Sequence, residues 1–248
     1  MSTPPAIAYV LCSSASLDAE EIIDQARELG LALTRAAEQP ESGRPLVFEG
    51  PAGLTMLAMP IEAPHPDARG MTVLPWSPRP DALAAHRAHV IIAVLGLPAL
   101  ARVQDPVLAR LALAVGRSSE AIGLVFGAGI CVHRPDLAGE LLEAQPPTQV
   151  PVELTVDLSV FAESPGRAAV LTHGLPRYGR EDFLITTTTA IGEAVTLARV
   201  MARWMVDEPD KELPTDDTVG RSEAEKLKVQ RVSHPRGTGA TVVRLDMD

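Results

Sequence analysis

AAVLTHGLPRYGRED, from Ala168 to Asp182, takes an apolar strand directly into the densest group of polar and aromatic side chains in the sequence. Val170 and Leu171 continue the strand, and Gly174 and Pro176 end it, because glycine tolerates a positive φ and proline lacks a backbone donor. The stretch therefore predicts a strand, a tight turn and an exposed loop. The candidate site residues of this loop are His173, Arg177, Tyr178, Arg180, Glu181 and Asp182.

Composition and charge indicate a globular protein and argue against anionic partners. Hydrophobic residues make up 46% of the 248 positions and aromatic residues only 3%, which predicts a globular chain with an aliphatic core. The formal net charge of −10 argues against a nucleic-acid or membrane partner, because proteins that bind those anionic surfaces usually present a basic face. A basic surface on another protein is the favoured partner, and acidic charge that only maintains solubility is the alternative.

The N-terminus and the cysteines predict a cytoplasmic protein without a metal site. The N-terminus has neither the basic region nor the long apolar core of a signal peptide, and no window reaches the roughly 18 apolar residues of a membrane span. Cys12 and Cys131 each lie in an apolar strand-like run, with no CxxC or Cys/His spacing around them. They predict buried thiols outside any disulfide, and we expect no metal and no cofactor.

Residues 1–62 predict a strand, a helix and a hairpin. Ala6 to Cys12 is a short apolar run bounded by proline and serine, which indicates a buried strand. Asp18 is placed to cap a helix that Gly30 ends. Two strands follow on either side of a turn at Pro51 to Gly53. This βαββ order is typical of the half-unit of a ferredoxin-like fold.

A proline-rich connection over residues 63–87 leads to a second half over residues 88–248. Trp76 lies in the connection, and we expect it to pack on the core. Asp105 and Pro106 predict the N-cap and first residue of a helix. The other predicted elements are strands at 88–96, 121–127, 152–161 and 168–172, helices at 137–144 and 190–206, and a terminal hairpin formed by 226–232 and 240–245.

The helix at residues 190–206 has the clearest helical period of the chain. Thr189 is placed to cap it, and Trp204 lies on its apolar stripe, so we expect Trp204 to be largely buried. The stripe consists of Ile191, Ala194, Val195, Leu197, Ala198, Val200, Met201, Trp204 and Met205.

These elements predict an α+β fold with antiparallel sheets and helices packed on their faces. The second half repeats the order of the first only loosely. Two ferredoxin-like halves in one compact body fit the pattern, and so does a single domain.

Four short features resemble a known family. They are LTHGLPRYGREDF at Leu171 to Phe183, the long helix ending in Trp204, DDTVG at Asp216 to Gly220 and VVRL at Val242 to Leu245. Together they are similar to a family of uncharacterised bacterial domains, filed as a domain of unknown function, over the C-terminal third to half of the chain. The resemblance implies a bacterial cytosolic α+β protein, and such domains occur among the immunity proteins that neutralise toxins of neighbouring bacteria. It implies no catalytic residues.

The candidate loop supports two kinds of function. As a binding surface, Arg177, Tyr178 and Arg180 would project outward, because arginine and tyrosine are enriched at interface hot spots. As an active site, His173 would act as general base on an anionic substrate held by the arginines, with Glu181 as the other candidate catalytic residue. Packing of Tyr178 on the sheet edge, with the charges solvated or paired locally, is the structural alternative.

Other motifs favour structural roles. Gly127 to Gly129 follows a strand but lacks the rest of a phosphate-binding motif, so it predicts a tight turn. His86 and His89 have no evident third metal ligand nearby. Asp136 is placed to cap a helix, and the threonines at 186–189 predict an extended segment and a helix cap.

We therefore expect a non-catalytic protein that binds another protein, with an immunity protein that neutralises a bacterial toxin as the leading case. The alternative is a small hydrolase or transferase that acts on an anionic substrate at the His173 to Glu181 loop. A third interpretation is a structural subunit of an assembly that binds no ligand.

Overall fold

A computed structural model describes residues 6–37, 45–71, 77–96, 100–127, 129–188, 190–220 and 225–247. Within these residues the helices are α1 (Ala19–Glu28), α2 (Pro80–Ala85), α3 (Ala101–Ser118), α4 (Pro135–Glu143), α5 (Val152–Thr155) and α6 (Ile191–Asp207). The strands are β1 (Ala6–Cys12), β2 (Thr34–Arg35), β3 (Leu46–Glu49), β4 (Thr55–Ile61), β5 (Ala88–Leu95), β6 (Gly123–Val125), β7 (Asp157–Ser164), β8 (Arg167–His173), β9 (Phe183–Thr187), β10 (Thr218–Val219), β11 (Leu227–Lys228), β12 (Gln230–Ser233) and β13 (Thr241–Asp246). The predicted α+β class is confirmed. None of the described helices has the length and apolar character to cross a membrane.

The chain divides into two compact units, Met1–Thr155 and Val156–Asp248. The first unit is built on a six-stranded sheet with the order β2-β3-β4-β5-β1-β6, in which every neighbouring pair is antiparallel. Helix α3 packs on β1 and β5 and also contacts α1 and α4. The core between them is mostly aliphatic, as the composition predicted, and both cysteines are buried and outside any disulfide.

Strand β5 decides how this sheet is assembled. It lies between β1 and β4, with Ile92 opposite Ala8 on one side and Ala58 on the other. The βαββ segment of residues 1–62 therefore does not form a sheet by itself, as a ferredoxin-like half-unit would. The predicted boundary before residue 88 likewise does not coincide with the division in the structure, because β5 is the central strand of the first unit.

The starts of α1 and α3 give opposite results for the capping predictions. The Asp18 side chain accepts hydrogen bonds from the backbone N–H groups two and three residues on, at 2.9 and 3.2 Å, so its N-cap role is confirmed. The prediction for Asp105 and Pro106 is wrong, because α3 begins at Ala101 and both residues are buried inside the helix. A proline inside a helix costs about 3 kcal/mol, and the burial of α3 on nearly all sides offsets that cost.

The second unit contains a five-stranded sheet with the order β12-β13-β9-β8-β7, and α6 packs on β8 and β9. Strands β9 and β13 are parallel, whereas the other neighbours are antiparallel. The predicted turn between β7 and β8 is confirmed, and Gly166 in it has a φ of 77°. The predicted terminal hairpin is formed by β12 and β13.

The prediction of one strand over residues 152–161 is wrong in its first half. Val152–Thr155 forms the helical turn α5, and β7 begins only at Asp157. The backbone N–H and the hydroxyl of Thr155 both donate to the carbonyl of Pro151, at 3.1 and 3.2 Å. These local bonds outweigh the strand preference of the β-branched residues.

Helix α6 confirms the helical period but not every member of the predicted stripe. The residues buried along it are Ala194, Leu197, Ala198, Met201, Ala202, Met205 and Val206. Ile191 and Val200 are 41% and 47% exposed. Trp204 follows Val200 by one helical turn and is partly buried, not open to solvent, which agrees with the expectation of a largely buried tryptophan. The predictions for Trp76 and Thr189 lie outside the described residues.

Candidate functional site

The loop after β8 is folded down onto its sheet. Gly174 has a φ of 125° and turns the chain into a 3-10 helix at Leu175–Tyr178, which ends at Gly179 with a φ of 74°. His173 and Tyr178 are buried, with exposed fractions of 7% and 8%, and Asp182 is buried too, whereas Arg177, Arg180 and Glu181 are half-buried. The prediction of an exposed loop is therefore only partly correct, because the 3-10 turn returns Tyr178 to the core.

Asp182 holds this turn in place. Its Oδ1 accepts a hydrogen bond from the Thr172 hydroxyl at 2.9 Å and from the Leu175 N–H at 3.2 Å. The Phe183 N–H in turn donates to the Thr172 hydroxyl at 2.7 Å. Burial raises the pKa of Asp182 to about 6, although these donors oppose the rise. The carboxyl group thus has a structural role that the sequence did not indicate.

His173 belongs to a second polar network, with Ser159 of β7. The Ser159 hydroxyl lies 2.8 Å from Nε2 of His173, and the Arg236 guanidinium donates to the same hydroxyl at 3.0 Å. Burial lowers the pKa of His173 to about 4, and the Arg236 charge adds to that effect, while Asp157 opposes it. His173 is therefore neutral at pH 7, with Nε2 able to accept the hydroxyl proton. Sequence reasoning missed Ser159 and Arg236.

Arg180 is bonded to the end of α6. Its Nε donates to the carbonyl of Met205 at 3.3 Å, and its terminal nitrogen donates to the carbonyls of Glu208, at 3.0 Å, and of Pro209. A cation at the carboxyl end of a helix also opposes the negative end of the helix dipole. Arg180 therefore fixes where the chain leaves α6.

Glu181 forms a third network that does not include His173. Its two carboxylate oxygens accept from Nε of Arg231, at 2.8 Å, and from the Thr241 hydroxyl, at 2.7 Å. Arg231 also donates to the Leu213 carbonyl at 2.9 Å and to the Thr215 hydroxyl at 2.7 Å. The contacts thus bring Glu181 together with Arg231, a residue that the sequence did not single out.

Arg177 and Tyr178 do not form the outward pair that a recognition surface requires. Tyr178 is buried, which corrects the expectation that it projects outward, and Arg177 is half-buried. Arg177 and Tyr178 are neighbours in the sequence, but they do not lie together on one exposed surface. Arg180 lines a pocket next to the end of α6.

That pocket, called here the loop pocket, has a volume of about 370 Å³. Its apolar floor includes Phe183, Met205 and Val243, and its charged walls include Arg180, Glu181, Glu212 and Arg231.

An exposed acidic segment, residues 207–217, adjoins the loop pocket. Only Leu213 of the segment is buried, and its carbonyl is held by Arg231. Among the carboxylates, Asp216 pairs with Lys228 at 2.7 Å. The acidic side chains of the segment are Asp207, Glu208, Asp210, Glu212, Asp216 and Asp217. The segment thus presents carboxylates to solvent from an anchored backbone.

The remaining sequence motifs have structural roles. Gly127 forms the predicted turn, and a Cβ there would lie 2.3 Å from the Thr155 carbonyl oxygen. Asp136 is not the cap of α4: Arg134 holds that position, and Asp136 pairs with it. His86 accepts a hydrogen bond from the His65 N–H at 2.9 Å. Within the described part of the chain, no cluster of three or more histidine, cysteine or acidic side chains could hold a metal.

Comparisons of the chain with family models, with curated proteins and with solved structures found no match.

Proposed function

We propose that this chain binds a basic surface of another protein through the acidic segment and the adjoining loop pocket. One observation carries the proposal. Arg180 and Arg231 reach the segment from outside it and donate to the backbone carbonyls of Glu208, Pro209 and Leu213. The backbone is therefore held before a partner arrives, and less conformational entropy is lost on binding.

The loop pocket supplies a place for an anchoring side chain of the partner. A lysine or arginine could lay its methylene groups on the accessible edges of Met205 and Leu213 and bring its charge to Glu212, whereas Glu181 is already bonded to Arg231. Buried anchors with a charged tip are common at protein interfaces. The net charge of −10 adds a long-range attraction for a basic partner and speeds association.

A toxin that acts on nucleic acid is the partner class that fits this chemistry. Proteins that bind nucleic acid present a basic surface to the phosphates, and an acidic partner occupies that surface by mimicking their charge. An immunity function of the resembled family agrees with this partner. The chain would therefore inhibit a basic toxin domain by covering its positive surface with acidic side chains.

The test uses isothermal titration calorimetry with any toxin domains found encoded beside the gene of this chain. A variant with Asp210→Lys and Glu212→Lys reverses two charges of the segment. A control with Glu21→Lys and Glu28→Lys makes the same change in net charge on α1, where both residues are exposed. We expect the segment variant to weaken binding at least about tenfold and the control to weaken it far less. Equal losses, or no binding of any encoded toxin, would overturn the proposal.

The hydrogen bond between Ser159 and His173 favours a second candidate, a serine hydrolase or transferase. The Ser159 oxygen would attack an ester carbonyl or a phosphoryl group, and His173 would take the hydroxyl proton and pass it to the leaving alcohol. Water would then release the acyl or phosphoryl group, while Arg236 holds an anionic part of the substrate. A histidine whose pKa is about 4 is a weak base at pH 7, which ranks this candidate second.

Fluorophosphonate labelling tests the second candidate directly, because the reagent reacts with activated serines. Labelling of the wild type that is lost in both Ser159→Ala and His173→Gln would support it. An unlabelled wild type, or labelling that persists in Ser159→Ala, would remove it.

A further inference from the structure

The first unit contains a separate apolar pocket of about 390 Å³. The turn after α1, the turn between β3 and β4, the first half of α3 and the turn after α4 meet around it. Most of its lining is aliphatic, with Leu31, Leu54, Val103 and Val107 as examples. This size and lining are those of small-molecule sites, which are mostly apolar and have a few placed polar groups.

The charges in this lining are all of one sign. Arg102 and Arg110 are its charged residues, and no carboxylate occurs among the described residues that line the pocket. The chain as a whole carries a net charge of −10, so the charge of this pocket is opposite in sign to the net charge of the chain. Because the walls are apolar, a charge inside the pocket is attracted more strongly than in water.

The buried guanidinium of Arg110 is held by hydrogen bonds to backbone carbonyls. It donates to the carbonyls of Leu29, Pro106, Leu142, Gln145 and Pro146, at 3.0 to 3.3 Å. All of these acceptors are neutral, so none of them cancels the charge. Burial lowers the pKa of Arg110 from its ordinary value. An anion brought to this wall would compensate the charge.

The pocket walls are rigid. Pro51, Pro106 and Pro147 line it, and Ala52 between them has a φ of 57°, which non-glycine residues rarely adopt. Gly30 has a φ of 74°, and a Cβ there would lie 2.8 Å from the Pro147 ring. Proline rings have a fixed φ and leave these turns fewer alternative conformations, so less entropy is lost when a ligand binds.

We propose that this pocket binds a small amphipathic anion, with a carboxylate that contacts Arg102 and is attracted by the buried charge of Arg110, and with an aliphatic body on Leu31, Leu54 and Val103. At about 30 Å³ for each water-sized group, its volume holds roughly a dozen non-hydrogen atoms. A medium-chain fatty acid has this size and polarity. The site lies wholly in the first unit and is independent of the protein-binding function proposed for the second.

Decanoate, decanamide and decylamine form a matched set of probes, because they share an alkyl chain and differ in the charge of the head group. Calorimetry on the full chain, below the concentrations at which these compounds form micelles, measures each affinity. We expect decanoate to bind at one site per chain and at least about tenfold more tightly than decanamide. Equal affinities, stronger binding of decylamine, or no saturable binding of decanoate would overturn the proposal.

Two variants locate the binding. Arg102→Gln should weaken decanoate at least about tenfold and leave decanamide nearly unchanged, because it removes charge without filling space. Val103→Phe should weaken both probes, because it fills the cavity. Arg35→Gln changes an exposed arginine of β2 and is the control. Thermal unfolding confirms that each variant is folded. If Arg102→Gln and Arg35→Gln have the same effect on decanoate, the ligand does not bind at this wall.

Discussion

The Ser159 hydroxyl and the Nε2 atom of His173 lie 2.8 Å apart on neighbouring antiparallel strands. The register places Asp157 opposite His173, so Ser159 is two residues along the same face of β7. The β7–β8 hairpin thus forms this contact inside the second unit. Burial in the hairpin lowers the pKa of His173, and the protonation of His173 is therefore linked to folding.

The first prediction follows from that linkage. The pKa of His173 falls from 6.5 to about 4 on folding, chiefly by burial, so its contribution to stability is complete above pH 6.5 and is lost as the pH falls through 4. The loss amounts to about 3 kcal/mol. His173→Gln should therefore lose this acid sensitivity.

Urea unfolding between pH 4 and 7 measures this pH dependence of the free energy of unfolding. Trp204 fluorescence in a Trp76→Phe background reports on the second unit. An unchanged dependence on pH in His173→Gln would contradict the assignment.

Asp182 has the opposite dependence on pH. Burial raises its pKa from 3.8 to about 6, so its contribution is complete below pH 3.8 and is lost as the pH rises through 6. Asp182→Asn retains an oxygen that accepts from Thr172 and Leu175 but cannot ionise. Its stability relative to the wild type should rise by about 3 kcal/mol between pH 4 and 7.

The same unfolding experiment tests this prediction, with Asp210→Asn as an exposed control. A relative stability that does not change with pH would show that Asp182 has an ordinary pKa. His173 and Asp182 change the free energy of unfolding in opposite directions over nearly the same pH range. The His173→Gln variant should therefore show the pH dependence caused by Asp182, and the Asp182→Asn variant that caused by His173.

Arg180 should stabilise the exit from α6. Arg180→Met removes charge-assisted hydrogen bonds to the carbonyls of Met205, Glu208 and Pro209, at an expected cost of about 1.5–3 kcal/mol. Hydrogen exchange of residues 204–211 and urea unfolding measure the effect. Lys211→Met removes an exposed cation from the acidic segment and is the matched control. Equal protection in the two variants would mean that Arg180 does not hold this backbone.

Arg110 should be essential to the first unit. Arg110→Met leaves several buried carbonyls at the ends of α1 and α4 without their donor, and we expect a loss of about 3–5 kcal/mol. Arg110→Lys should recover only part of it, because an ammonium cannot reach carbonyls on both sides. Urea unfolding followed by circular dichroism gives both values. A stable Arg110→Met variant would show that apolar packing can replace these bonds.

Local features of the fold were predictable from the sequence. The cap at Asp18, the strand Ala6–Cys12 and the turn at Gly166 each depend on a few neighbouring residues. The order of the strands was not predictable in the same way. β5 enters between β1 and β4, and β9 runs parallel to β13, because these strands bury apolar faces against partners far away in the chain.

The candidate site shows the same division. The polar residues that follow β8, and the turn that glycine and proline make there, could be predicted from the local sequence. The inward position of Tyr178, the bonds of Arg180 to the end of α6, and the separate networks of His173 and Glu181 depend on tertiary packing. Turn residues constrain their own backbone angles, whereas the partner of a side chain depends on strand register and on which distant segments pack beside it.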